Sequence, residues 1–337
     1  MKKLFLLVSI LFWGFISCQN HNLMPEIQFI IPQNFPKPIY NLSENPITSA
    51  GFELGKALFY DGILSRNGTI SCGFCHQQLS GFTQHGHPLS HGIDDKNTLR
   101  NSLPIQNLAW NKEFFWDGGV FHLDLFAVAP IEAHNEMDET LPNVLKKLRN
   151  HQKYPLMFEK AFGTTEITTD RFLKALSQFQ LMCISSNSKY DKYVRNEGVM
   201  LNNDELVGLQ IFKQKCATCH TGELFTDFSY RNNGLFVNNT EDTGRERITL
   251  NEQDRYKFRV PSLRNVEITK PYMHDGRFRT LEEVLDHYEK GIKDSQTLDN
   301  QLKNGISLSR DEKQKVIAFL KTLTDEEFMT NTLLSEF

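Results

Sequence analysis

The chain has 337 residues, 39% of them hydrophobic and 23% charged. That is enough apolar material for a sizeable core, too balanced for a disordered polymer, and long enough to predict two domains or one large one. A net charge of -4 with pI near 6.3 removes the general electrostatic case for nucleic-acid binding, and a mean hydropathy of -0.42 with one long apolar run excludes a multi-span membrane protein.

That run lies at the N-terminus, where Met1-Lys2-Lys3 precedes the apolar stretch from Leu4 to Ile16. Lysines, a short apolar segment and a small residue are the parts of a secretory signal. Cys18, directly after Phe15-Ile16-Ser17, resembles a bacterial lipoprotein cleavage site, with Phe15 where leucine is usual. The reading is a signal peptide over residues 1–18 with Cys18 as a lipid anchor, against a plain cleaved signal. A polar, proline-rich tether over residues 19–45 follows, and the location is periplasmic or outer-membrane-anchored.

Beyond the tether, apolar spacing predicts helices over Thr48–Tyr60, Asp170–Cys183, Asp204–Lys215, Leu281–Lys290 and Asp311–Leu323. Thr280-x-x-Glu283 and Ser309-x-x-Glu312 read as capping boxes at the last two. Few stretches alternate like strands. Ser185-Ser186-Asn187-Ser188 is the best domain boundary, so the fold class is mainly α in two domains, 46–186 and 187–337, with long loops.

Without Cys18 the cysteines are Cys72, Cys75, Cys183, Cys216 and Cys219, an odd set for a disulfide framework. Four fall in Cys72-Gly73-Phe74-Cys75-His76 and Cys216-Ala217-Thr218-Cys219-His220, both with the C-x-x-C-H attachment pattern of c-type haem. Two thiols one helical turn apart can each add to a haem vinyl group, and the next histidine then falls under the ring as an iron ligand. One copy alone would leave a thioredoxin-like redox pair or half a zinc site open; two copies in an exported chain favour two covalently bound haems, with His76 and His220 as proximal ligands. Cys183, in an apolar helical run, reads as a buried structural thiol.

The halves look duplicated. Gly55-x-x-Leu58-Phe59 and Gly208-x-x-Ile211-Phe212 precede the two motifs, and the segment Asn107 to Gly118 lies over Asn265 to Gly276 without a gap, with Asn, Lys, Asp and Gly matching. A tandem of two cytochrome-c-like haem domains follows. In that register Tyr288 falls opposite Pro130, so one half offers a candidate iron ligand where the other has a non-ligating proline, the bland alternative being an unligated tyrosine on an amphipathic helix.

With these motifs the sequence resembles the bacterial di-haem cytochrome c peroxidases and their MauG-type relatives, from about Pro46 to Phe328. The resemblance rests on Phe114-Phe115-Trp116-Asp117-Gly118, Ala129-Pro130-Ile131-Glu132, Glu136-Met137, Arg264-Asn265, Pro271-Tyr272-Met273-His274-Asp275-Gly276 and Thr280-Leu281-Glu282-Glu283. It implies that the N-terminal haem reacts with hydrogen peroxide and the C-terminal haem transfers electrons. It further implies His91 as a distal ligand of the N-terminal iron, with His85 and His87 as competitors on the same loop. Glu136 is implied as the acid-base catalyst, the bland alternative being a solvated carboxylate beside Glu132, Asp138 and Glu139. Trp116 is implied as the indole between the haems, whereas Trp110 reads as core. Family members commonly have glutamine where this chain has Phe126.

The resemblance also implies calcium, with Asn101, Thr269 and Pro271 as oxygen-donor positions. At the C-terminal haem the place of the usual peroxidase methionine holds Tyr288, as in MauG-type proteins, with His287 and Met273 competing. Three functions stand. The first is reduction of hydrogen peroxide to water with electrons from a small cytochrome c or cupredoxin. The second is MauG-type oxidation of a protein substrate, to which Tyr288 adds weight. The third is a non-catalytic electron carrier, against which Glu136 argues. The oligomeric state, a homodimer included, is left open.

Overall fold

The computed structural model describes residues 27–84, 86–235 and 242–336, whose regular elements are helices apart from one two-stranded ribbon, joined by long loops. The signal segment, Cys18, the start of the tether and His85 lie outside the described residues. In chain order come α1 (Ser49–Tyr60), α2 (Cys72–Cys75), α3 (Val128–Glu132), α4 (Leu141–Arg149), α5 (Tyr154–Phe162) and α6 (Thr169–Met182). Then follow α7 (Lys189–Val194), α8 (Asn203–Lys215), β1 (Tyr230–Arg231), α9 (Glu246–Thr249), β2 (Phe258–Arg259), α10 (Leu281–Asp286), α11 (Arg310–Lys321) and α12 (Glu326–Thr330).

Side-chain caps set where these helices begin. Thr48 accepts from Gly51 and Thr168 from Arg171, so α1 and α6 each start one residue from the expected position. The two expected capping boxes are present, and Ser188 with Asp191 and Asn202 with Glu205 add two more. Helices α4 and α5 were not among the expected elements; each carries a proline in its first turn, where the missing N–H costs nothing.

One expected helix is interrupted. The stretch predicted as Leu281–Lys290 is α-helical only to Asp286, and His287–Gly291 forms a π turn. The wider turn lets His287 Nε2 reach the Asn233 carbonyl at 3.0 Å, and the Tyr288 carbonyl accepts from Ile306 at 2.7 Å.

The duplication is visible in the packing. Helix α1 crosses α6, and α8 crosses α11. A Cβ on Gly55 would stand 2.0 Å from the Ala175 carbonyl oxygen, and one on Gly208 1.9 Å from that of Lys315, so both crossings need glycine. The space so closed is filled by aromatic pairs, Phe59 on Phe179 at 4.8 Å and Phe212 on Phe319 at 5.1 Å between centroids.

The loops repeat as well. Asn107 and Asn265 share a positive φ (55° and 59°), as do Phe115 and Met273 (66° and 74°). Phe114 bridges Val120 as Tyr272 bridges Phe278. Asn107 donates its N–H to the Cys183 carbonyl just after α6, and Asn265 donates to that of Leu323 just after α11.

Two buried hydrophobic clusters result. One gathers residues between Ile27 and Cys183 with Leu224, Phe328, Met329 and Leu334; the other lies between Tyr190 and Leu323. Thus α12 returns to the first cluster, and Gln78 Nε2 holds it there through the Phe328 and Asn331 carbonyls. Cys183 is fully buried, its thiol on the Phe179 carbonyl, and Trp110 is buried between Phe29 and Phe35 with its N–H on the Pro36 carbonyl.

Candidate haem centres

Each Cys-x-x-Cys-His motif folds locally into one turn. Ser71 caps α2 by accepting from Phe74, and the His76 N–H bonds the Cys72 carbonyl at 2.8 Å. In the second half the His220 N–H bonds the Cys216 carbonyl at 3.0 Å. Both imidazoles are then oriented in the same way, His76 Nδ1 on the Phe82 carbonyl at 2.8 Å and His220 Nδ1 on the Phe225 carbonyl at 3.1 Å. A carbonyl fixes the proton on Nδ1 and leaves Nε2 free for a metal. Burial pulls His76 down to about 4 and also lowers His220, so both rings are neutral at physiological pH, the form that binds iron.

The four motif thiols are free of disulfides, and burial pushes Cys72 and Cys216 up to about 12 and Cys75 up to about 11. They are therefore protonated thiols, the group that adds across a vinyl bond. Among the described residues no group of three or more His, Cys, Asp or Glu side chains is placed to hold a metal ion together, so neither motif has the further ligands that zinc requires.

Around Cys216, Cys219 and His220 the second half opens a cavity of about 280 Å³. Its walls are largely apolar, among them Phe212, Val266, Leu281, Leu285 and Leu320. A flat macrocycle held by two thioethers and one imidazole fits such a lining. Tyr288 and Met273 both face the cavity and His287 does not, its ring being held on Asn233. Burial raises the Tyr288 phenol, and a hydrogen bond from the Asn233 side chain works against that rise. Asn233 Nδ2 also donates to Met273 Sδ at 3.5 Å, so one amide ties up the competing thioether. Asn233 belongs to no motif, and nothing in the sequence marks it.

At the first motif the structure brings His91 and Glu136 to the same loops. The Ile93 N–H bonds the Glu136 carbonyl at 2.8 Å, and a Cβ on Gly92 would stand 2.2 Å from the Asn135 carbonyl oxygen. The loop bearing His91 is thus stapled to the segment bearing Glu136, and the Cys75 thiol approaches the His91 carbonyl at 4.0 Å. Glu136 is half-buried, close enough to Cys72 and Cys75 to act on them electrostatically, and burial raises its carboxyl. The His91 imidazole holds Asp95 through Nδ1 at 2.6 Å, which leaves its Nε2 free, and its ring packs edge-on against His87. Phe126 packs against Phe114 and Phe115 at 5.3 and 4.8 Å. The place where the resemblance implies a glutamine is thus an apolar aromatic wall.

Trp116, Asn101, Thr269 and Pro271 meet on the wall of the second cavity. Trp116 is buried and donates its indole N–H to the Asn101 carbonyl at 2.8 Å, while the Asn101 N–H donates to the His274 carbonyl at 2.8 Å. The Trp116 segment of one half is thereby tied to the matching segment of the other. Arg100 braces the junction, pairing with Asp117 at 2.6 Å and with Asp242 at 2.7 Å. Asn101 Nδ2 donates to the Pro88 carbonyl at 2.9 Å.

Known proteins resemble this chain over most of its length. A family model described as di-haem cytochrome c peroxidase matches residues 49–199. A methylamine utilization protein MauG of Methylorubrum extorquens is 35% identical over 302 residues, covering 89% of this chain and 84% of that protein. A cytochrome c551 peroxidase of Nitrosomonas europaea is 36% identical over 284 residues, covering 82% and 80%. Among solved structures, a MauG-like protein associated with microbial copper homeostasis superposes with a TM-score of 0.85 at 31% identity, covering 92% of this chain and 99% of that one.

Proposed function

Because this chain belongs to the di-haem cytochrome c peroxidase family, a family of peroxidases, we propose that it reduces hydrogen peroxide to water with electrons delivered by a small cytochrome c or cupredoxin. Bound at Cys72, Cys75 and His76 and at Cys216, Cys219 and His220, the two haems would supply the one-electron chemistry, the N-terminal iron facing peroxide and the C-terminal iron facing the donor. The observation that carries the reading is the Glu136 carboxyl, half-buried beside the first motif and raised by that burial.

Reduction of one peroxide consumes two electrons and two protons and yields two waters. Glu136 takes the proton from the near oxygen and returns it to the far oxygen as the bond between them breaks, and a carboxyl raised toward neutrality suits both steps. His91, held by Asp95 through Nδ1, would guard the N-terminal site. His76 and His220 hold their rings by Nδ1 and offer Nε2. Trp116, fixed on the Asn101 carbonyl, would provide a route for electrons between the two centres. Asn101, Thr269 and Pro271 would hold calcium, a hard cation suited to oxygen donors such as the Asn101 Oδ1. The leader over residues 1–18 carries the protein to the periplasm, with Cys18 as its lipid anchor.

One observation favours a second reading. Tyr288 faces the cavity while His287 is turned onto Asn233 and Met273 is occupied by the same residue. Tyrosine on the C-terminal iron would favour the ferric state and suit MauG-type oxidation of a protein substrate. Peroxide titration of the oxidised and the half-reduced protein separates the two. Turnover that requires one-electron pre-reduction and a reduced cytochrome or cupredoxin supports the first, with Tyr288→Phe leaving the C-terminal haem spectrum unchanged. Reaction of the fully oxidised protein with peroxide, altered by Tyr288→Phe, supports the second.

A further inference from the structure

Among the described residues, the charged side chains that line the second cavity are the cations Lys215, Arg231 and Arg259, and no Asp or Glu lines it. Two of these cations are neutralised by the protein. Lys215 Nζ bonds Glu312 at 2.9 Å and the Ser307 carbonyl at 2.7 Å. Arg231 is held between Asp227 and Asp299 at 2.8 Å each.

Arg259 differs. Its Nη1 donates to the Glu113 carbonyl at 3.2 Å, and its Nε is buried with no hydrogen-bond partner. The Glu113 carboxylate is engaged by Arg245 at 2.9 Å instead. Burial opposes the charge on Arg259, yet a guanidinium does not give up its proton in a protein. Glu113 acts on Arg259 only at longer range, and a buried cation with no hydrogen-bonded anion is costly, so an anion brought by a ligand would complete the site.

We infer that Arg259 is the ion-pair partner of a carboxylate of the C-terminal haem. The inference rests on the reading that Cys216, Cys219 and His220 bind haem. Each haem carries two propionate groups, and the cavity lining offers no other anion. Arg259 is also rigidly placed, since β2 pairs with β1 in the register Tyr230 with Arg259 and its N–H donates to the Trp116 carbonyl at 2.7 Å. A propionate on Arg259 would thus be linked, through one residue, to both the Glu113 and the Trp116 backbone. This ties the haem edge to the segment that bridges the two halves.

Spectroelectrochemistry of the holoprotein tests the assignment, with covalent haem counted by mass. Arg259→Gln removes a positive charge and leaves an anion unpaired, both of which favour ferric iron. The C-terminal potential is therefore expected to fall by at least about 59 mV, a tenfold change for one electron. The N-terminal potential, measured in the same sample, should stay put. Arg259→Lys keeps the charge but loses the planar fork, so most of the potential should return while the propionate bending band in resonance Raman moves. Should Arg259→Gln not fold, the Raman band of Arg259→Lys decides alone. Two retained haems with unchanged potential and unchanged propionate band would overturn the ion pair. Absence of haem at Cys216 and Cys219 in the wild type would instead overturn the cofactor reading beneath it.

Discussion

Arg264 and Asp191 form a fully buried ion pair, and its loss should be among the most destabilising single changes in the chain. The guanidinium is bidentate, with both contacts at 2.8 Å and neither side chain exposed. It also donates to the Glu223 carbonyl at 2.7 Å and to the Ser185 carbonyl at 3.3 Å, and it lies 4.4 Å over the Phe35 ring. One side chain therefore joins the expected domain boundary, α7 and the loop behind His220. Arg264→Met keeps the volume but leaves Asp191 charged and buried, which costs about 3–5 kcal/mol. At about 1.5 °C per kcal/mol for a chain of this length, the thermal midpoint should fall by about 4–8 °C.

The pH dependence follows from Asp191. Burial, the largest single influence, would raise its carboxyl, but Arg264 with the Ser188 and Asn34 hydrogen bonds together holds it below the ordinary 3.8. A depressed carboxylate contributes stability that is present above its ordinary pKa and is lost as pH falls through the folded value, so the gap between wild type and variant should narrow in acid. Guanidinium unfolding followed by far-ultraviolet circular dichroism measures the cost. Adding Asp191→Asn to Arg264→Met should recover part of it, since no buried charge remains and the Ser188 cap can still form. A single-variant loss below about 1 kcal/mol, or a double variant as costly as the two singles added together, would refute the reasoning.

Glu136→Gln should keep both haems yet slow peroxide turnover by about two to four orders of magnitude. Because burial raises the Glu136 carboxyl and the ionised form must accept the first proton, the acid limb of the wild-type pH–rate profile should begin above the ordinary 4.5 and vanish in the variant. Gly208→Ala forces a Cβ to within 1.9 Å of the Lys315 carbonyl oxygen, so it should cost about 1–3 kcal/mol or more in urea unfolding and perturb the C-terminal haem spectrum first. Cys72→Ala with Cys75→Ala should remove one covalent haem and leave the other on a haem-stained denaturing gel; two retained haems would refute the attachment site.

Local chemistry was readable in the sequence because it is carried by neighbours. Two thiols and a histidine within five residues, occurring twice, point to haem attachment from short spacing alone, and the caps at Thr280 and Ser309 need only a partner three residues on. The repeated Gly55 and Gly208 motifs were legible as a duplication, though not as helix crossings, because the carbonyls that exclude a side chain come from Ala175 and Lys315, far along the chain. Helices α4 and α5 escaped because a proline in the first turn reads as a breaker unless the helix behind it is already known.

The sequence by itself determined the fold class, the duplication and the two attachment motifs, since periodicity and short spacing encode them directly. Which of Tyr288, His287 and Met273 faces the second cavity was decided only by tertiary structure. It depends on a π turn and on Asn233, which binds all three from a different loop. The same holds for Phe126, whose partners are Phe114 and Phe115, and for the unpaired Nε of Arg259, since Glu113 is drawn away by Arg245. Each of these turns on a competition for one partner among groups distant in the chain, and such a competition leaves no period, spacing or motif in the sequence.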